Sequence, residues 1–387
     1  MPSLVDLVFI LLAIGVPALM AIPLLNSDGD LARHLRVGGM ILDKHGLFFR
    51  DSLSFTMFGK PFVPYEWLSE VLFAAANRVG GLPAVAILAG LVIAATYALV
   101  VAFLRGRGLD PLLAVVVGLV AAAASSIHWL ARPHLFSSLG CVLLLFLLEG
   151  RPGRKVWLIA PLFVVWGNLH GGFVFGLAII VAYVAGDVAE AVRGGDVEWP
   201  QRARTHGFAL LLGTVGACLN PAGLSVIRHV STYLGDRLLS AHADMQTTDF
   251  QSPDFHRTSL QVFLIALLIV VAGLALSRRR PSYPHLLLLL MTTAFALYAA
   301  RNIELFAVTA LPVMALDLEP LWLDLTRWAH RLRLAVAVGE QHSRPGAWAL
   351  AASVALLLIA ATHGTVLGQP VTTARFDPAT FPVNAVA

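Results

Sequence analysis

The chain has 387 residues, of which 58% are hydrophobic and only 13% charged, where an ordinary soluble domain carries about 25% charged residues. With a mean hydropathy of +0.79, this composition excludes a water-soluble protein and points to a single polytopic membrane domain. The formal net charge of +4 would suit an anionic partner, but most basic residues go to membrane topology, and no nucleic-acid partner is expected.

The first apolar run, 7–25, is long enough to span, and no Lys or Arg precedes it, so it reads as a membrane helix rather than a cleavable signal. Ten further apolar runs follow, at about 83–104, 111–127, 135–149, 156–169, 172–189, 207–219, 259–276, 284–300, 303–316 and 347–363. The predicted fold class is therefore an all-α, polytopic transmembrane helical bundle over 1–363, with about eleven spans and nine to eleven allowed. The range reflects 156–169 and 207–219, which are short and could be re-entrant. With a cytoplasmic N-terminus, fifteen Lys and Arg fall in the inner segments, against only Arg132 and Arg301 in the short outer ones. That asymmetry fixes the expected orientation. It places two long loops, 26–64 and 220–258, and the tail 364–387 outside, and an amphipathic segment, 317–346, inside. Cys141 and Cys218 lie in apolar runs and support neither a disulfide framework nor a cysteine metal site.

The unusual chemistry collects on the outer side. Asp28-Gly29-Asp30 opens the first loop: two carboxylates at the end of a membrane helix can hold a divalent cation, or one can act as general base. The same residues would also serve as a turn capping the next helix. In that helix Leu31, Leu35, Met40 and Leu42, or Val37 and Ile41, can share an apolar stripe flanked by Arg33, Arg36 and Lys44, which suits a helix lying in the membrane interface. Glu66-Trp67-Leu68-Ser69-Glu70 then leads an apolar helix toward Gly80-Gly81. At the next outer end, His128, Arg132 and His134 can clamp a phosphate, because a guanidinium forms forked bonds to phosphate oxygens; interfacial anchoring by Trp129 and Arg132 is the plainer alternative. Asn168 and His170, flanked by glycines between two apolar runs, need a cavity or a partner at membrane depth. Asn220-Pro221 reads as a turn. Arg301, an outward arginine, runs against the topology bias and favours a phosphate partner.

Taken together, Asp28-Gly-Asp30, His34-Leu35-Arg36-Val-Gly38, Asp51-Ser52-Leu53-Ser54-Phe55-Thr56, Gly59-Lys-Pro61, Glu66-Trp67-Leu68, Arg132-Pro-His134-Leu-Phe136 and Asn168-Leu-His170-Gly171-Gly172-Phe173 resemble a poorly characterised bacterial branch of the C-type glycosyltransferase superfamily (GT-C). The resemblance covers most of the chain. Where that branch usually has an aromatic before the histidine, this chain has Arg33. The resemblance implies transfer of a sugar from a polyprenyl-phosphate donor, at the non-cytoplasmic face of a bacterial inner membrane, to an envelope glycan, lipid or protein. It also implies that an acidic residue of the first outer loop is base or metal ligand, which carries over to Asp28 and Asp30, with Mg or Mn as the metal. Arg132 and Arg301 are then the expected phosphate clamp, with His34, Glu66, His134, Asn168 and His170 lining the cavity. GT-C enzymes often carry a soluble outer domain after the last helix, and the tail from 364 is expected to be a linker or the start of such a domain.

Two other classes use the same residues differently. A transporter or lipid flippase would treat the intramembrane polar groups as a path and would show internal repeats; none is visible in the sequence. A non-catalytic envelope-assembly protein would need no convergence of Asp28, Arg132 and Arg301.

Overall fold

A computed structural model describes residues 1–27, 29–150, 155–193, 199–229, 250–343, 345–366 and 369–378. The protein is an all-α membrane helical bundle, and five of its described helices are long and apolar enough to cross a membrane by length and composition. The helices used below are α1 Leu4–Leu19, α2 Ala21–Asn26, α3 Asp30–Lys44, α4 Trp67–Gly106, α5 Pro111–Ser125, α6 His134–Leu148, α7 Ile159–Leu169, α8 Phe173–Val192 and α9 Trp199–Cys218. They continue with α10 Thr258–Leu276, α11 Tyr283–Tyr298, α12 Ala300–Leu325, α13 His330–Gln341 and α14 Ala347–Ala361. Each of the eleven apolar runs coincides with a helix. The central part of the second long loop, 230–249, and the end of the tail, 379–387, lie outside the described residues.

Small residues let the helices approach closely, as expected where lipid supplies no hydrophobic drive between them. A Cβ on Gly90 would lie 2.8 Å from Pro17 of α1, one on Gly216 of α9 would lie 2.6 Å from the Ala160 carbonyl, and one on Gly80 would strike the Ala360 carbonyl of α14. At Gly80-Gly81 helix α4 breaks. Gly81 has φ +65 and ψ −160, a region essentially closed to residues with a Cβ, so the first turns of α4 are free to take a direction different from the span that follows.

Those first turns receive α3. Leu31, His34, Val37, Gly38 and Ile41 are its buried face, a spacing of three and four that puts them on one stripe. The expected amphipathic helix is present, with the polar His34 inside the stripe that packs on α4. Gly38 makes the approach possible, because a Cβ there would fall 2.0 Å from the Glu70 carbonyl. One turn earlier, His34 is thereby brought to the Glu70 side chain.

Beyond α14 the tail doubles back. Thr365–Val366 pairs with Gln369–Pro370 in a two-stranded ribbon, and Thr372 donates to the Pro17 carbonyl at 2.6 Å. Asn26 then grips the extended segment with both ends of its amide, donating to the Arg375 carbonyl at 2.9 Å and accepting from the Asp377 N–H at 2.7 Å. The predicted linker is thus tied to the end of α2 through its described part.

Candidate functional site

One end of the bundle gathers the ends of α2, α3, α4, α6, α7, α8 and α9. Ser69 joins α4 to α7, its hydroxyl lying 2.7 Å from the Leu169 carbonyl. Asn220 donates to the Gly167 carbonyl at 2.9 Å and accepts from the Ala222 N–H, so this predicted turn also pins α9 to α7. Asn168 accepts from the Trp67 indole at 2.7 Å and donates to the Val164 and Leu219 carbonyls. All of its polar atoms are engaged in holding the frame.

Within that frame lies a cluster of carboxylates, histidines and arginines. Glu66 is buried and lies 3.6 Å from His170 Nε2 and 3.7 Å from Arg33; Tyr65 also hydrogen-bonds it. Burial pushes its carboxyl up to about 7, against the pull of Arg33 and Arg132. His170 has a fixed tautomer. The Trp166 indole donates to Ser137 Oγ at 2.8 Å, Ser137 Oγ lies 2.7 Å from His170 Nδ1, and the Gly172 N–H donates to the same nitrogen at 3.1 Å. Nδ1 therefore accepts, and Nε2 carries its hydrogen toward Glu66. Burial, with Arg301 and Arg132 adding to it, pulls His170 down to about 3 and keeps the ring neutral. Gly172 is required here, because a Cβ would fall 2.2 Å from Ser137 Oγ.

His34 sits on the other side of Glu66's neighbour Glu70. Its Nδ1 is 3.3 Å from Glu70 Oε1 and its Nε2 is 3.4 Å from Arg33. Burial first, then Arg33, holds it down to about 2, so its contact with Glu70 is that of a neutral ring rather than an ion pair.

The first-loop carboxylate Asp30 is paired with Arg132 of the 126–134 turn. It stands in the first turn of α3, where a negative charge suits the helix dipole, and among the described residues no side chain caps that helix. Asp28 lies outside the described residues. His134 is buried, donates from Nε2 to the His128 carbonyl at 2.8 Å and packs against the His128 ring at 4.4 Å, so it shapes the turn that carries Arg132. Arg301 lies over the Phe250 ring at 4.4 Å and, like Arg132, is within electrostatic reach of His128 and His170. Asp30, Arg132, Glu66, His170 and His34 thus belong to one neighbourhood that Arg301 borders, while Asn168 and His134 support it.

Sequence reading missed Glu70, Ser137 and Arg33 as members. An acidic residue one helical turn into an apolar helix is itself a signal, since it is costly without a partner. Ser137 gives none, because a serine inside an apolar run looks like any small helix residue. Among the described residues, His34, Glu66 and Glu70 are the group whose ligand atoms lie within 4.8 Å of one another, as a metal ion would need. That donor set would suit a divalent cation, but Arg33 already contacts all three. Beside the cluster, a groove of about 550 Å³ runs between the start of α4, α7 and the end of α9, lined by Trp67, Val164, Val165, Asn168, Cys218 and Leu219 among others. Val165 and Leu219 are exposed along it, so it opens on the outer flank of the bundle.

No known family model and no curated protein matches the chain. Among solved structures it is similar to the apo crystal structure of an oligosaccharyltransferase from Archaeoglobus fulgidus, at 14% identity and a TM-score of 0.48, over 95% of this chain and 56% of that one. The chain spans little more than half the length of that protein.

Proposed function

We propose that the protein is a membrane glycosyltransferase that moves a sugar from a polyprenyl-phosphate donor to an envelope acceptor at the non-cytoplasmic face of a bacterial inner membrane. The observation that carries this reading is the meeting of two chemistries in one neighbourhood, with a lateral groove that begins at Trp67, next to Glu66. Glu66, with the Ser137–His170 pair behind it, offers a proton acceptor. Arg132, steadied by Asp30, and Arg301 offer positive charge. The groove takes the lipid tail from the flank and leaves its phosphate near the arginines. An acceptor hydroxyl then attacks the anomeric carbon and loses its proton to Glu66. The carbon–oxygen bond to the phosphate breaks, and the departing polyprenyl phosphate keeps the electron pair, stabilised by the two guanidiniums. Of the two first-loop carboxylates expected as base, Asp30 is engaged by Arg132 and here positions the clamp. No step calls on Mg or Mn.

The test uses purified protein and a short-chain polyprenyl-phosphate sugar. Bound donor that releases free polyprenyl phosphate when supplied with envelope extract, and fails to do so in Glu66→Gln, supports the reading. Bound donor whose glycosidic bond stays intact while lipid crosses the bilayer would make the protein a flippase. Donor binding unchanged when Arg132 and Arg301 are both replaced by Lys would remove the clamp.

A further inference from the structure

His34, Glu66 and Glu70 make a buried cage with the right donors for a divalent cation, and a cation is already in contact with it. Arg33 lies 3.6 Å from Glu70 Oε1, 3.7 Å from Glu66 Oε2 and 3.4 Å from His34 Nε2. One guanidinium therefore reaches every member of the cage. The protons tell the same story. A guanidinium only donates, so the contact of Arg33 with His34 Nε2 assigns that nitrogen as the acceptor and the ring hydrogen to Nδ1. That nitrogen faces Glu70 Oε1 at 3.3 Å. The ring atom turned toward the carboxylates is thus an N–H, which cannot ligate a metal. A divalent ion would have to expel Arg33, reverse the His34 tautomer and draw the carboxylate oxygens in to ligand distances of about 2 Å.

We propose that Arg33 is the built-in cation of this cage, standing in the place of a divalent metal, so that the cluster is held in shape without a bound ion. Arg33 precedes His34 on α3, and Gly38 sets how deep that helix sits against Glu70, so the cation is delivered by the helix that completes the cage. Its consequence for catalysis rests on the glycosyltransferase reading, but the place of the cation does not.

The experiment is a titration of the full-length protein in nanodiscs with Mn²⁺, read by electron paramagnetic resonance, with no sugar donor present. Wild type should bind no stoichiometric Mn²⁺ below about 1 mM. Arg33→Met should bind one ion at least about tenfold more tightly than wild type, since the repelling charge is gone, and should lose it again when Glu70→Gln is added. Stoichiometric binding to wild type that Glu70→Gln abolishes would overturn the proposal, and that arm needs no Arg33 variant to fold. So would an Arg33→Met protein with wild-type melting behaviour that binds no ion. Because turnover is not read, failure here and failure of the transfer assay are separate results.

Discussion

The two ends of the bundle hold similar residues in different states. At the end opposite the candidate site, His285 has both ring nitrogens against carboxylates, 2.9 Å from Glu149 and 2.8 Å from Asp317, and Glu149 also accepts from Tyr183 at 2.6 Å. His206 is bound to Asp187 at 2.7 Å, with Arg202 on the same carboxylate. At the site end, His34 and His170 approach Glu70 and Glu66 at 3.3 and 3.6 Å, and Arg33 sits between with its side chain 43% exposed. Short, closed contacts tie helices together, whereas a hydrogen bond forms poorly beyond about 3.2 Å. Glu66 thus meets His170 and Arg33 at longer range than Glu149 meets its partners, with Tyr65 as its hydrogen-bond donor. Burial with such loose contacts to the neighbouring charges suits the proton acceptor proposed for Glu66, and it is a poor way to build a fold.

The largest effect that would break this contrast comes from the closed end. His285→Ala leaves Glu149 and Asp317 without their shared partner, and losing one member of a buried charge network costs about 3 kcal/mol; denaturation in detergent should show that loss, while any folded protein transfers normally. A fall in turnover at full stability would mean the closed end is chemical too. Next is Glu66→Gln, which should slow transfer by about 100-fold with little change in thermal stability; a stability loss as large as that of His285→Ala would make Glu66 a structural tie. The pH profile sharpens the same point. With the carboxyl pushed up to about 7 by burial, the ionised base is scarce below that pH, so wild-type transfer should rise as pH increases through about 7, and the rise should vanish in Glu66→Gln. Arg132→Lys replaces a fork by a point charge and should weaken donor binding by about tenfold, read in a lipid-binding assay. The smallest effect belongs to Ser137→Ala. It frees the His170 tautomer at the expense of one hydrogen bond, and should lower kcat by roughly threefold with KM unchanged.

The fold was legible because lipid demands it. Every apolar run became a helix, since in hydrocarbon the chain has few other ways to satisfy its backbone. The site was legible only where its residues announce a conflict with their surroundings, as Asp30, Arg132, His170 and Glu66 do. What could not be read is who meets whom. Ser137 and His170 are separated by 33 residues and Asp30 and Arg132 by 102, and no periodicity reports such pairs. The closed end was missed for a related reason. Glu149, Asp187, His206, His285 and Asp317 look like isolated polar residues at the margins of apolar runs, and the count of basic residues that fixed the expected orientation passes over them.

The grip of Asn26 on the tail has a spectroscopic consequence. One side-chain amide both donates to and accepts from the 375–377 backbone, so it treats that segment as a neighbouring strand would. The Asp377 amide is therefore locked only while the end of α2 keeps its place, four residues before Asp30. Its rate of hydrogen–deuterium exchange is a gauge of the first loop, read at a residue outside the candidate site: slow when the loop is seated, fast when it lifts, and expected to slow further when a donor occupies the groove.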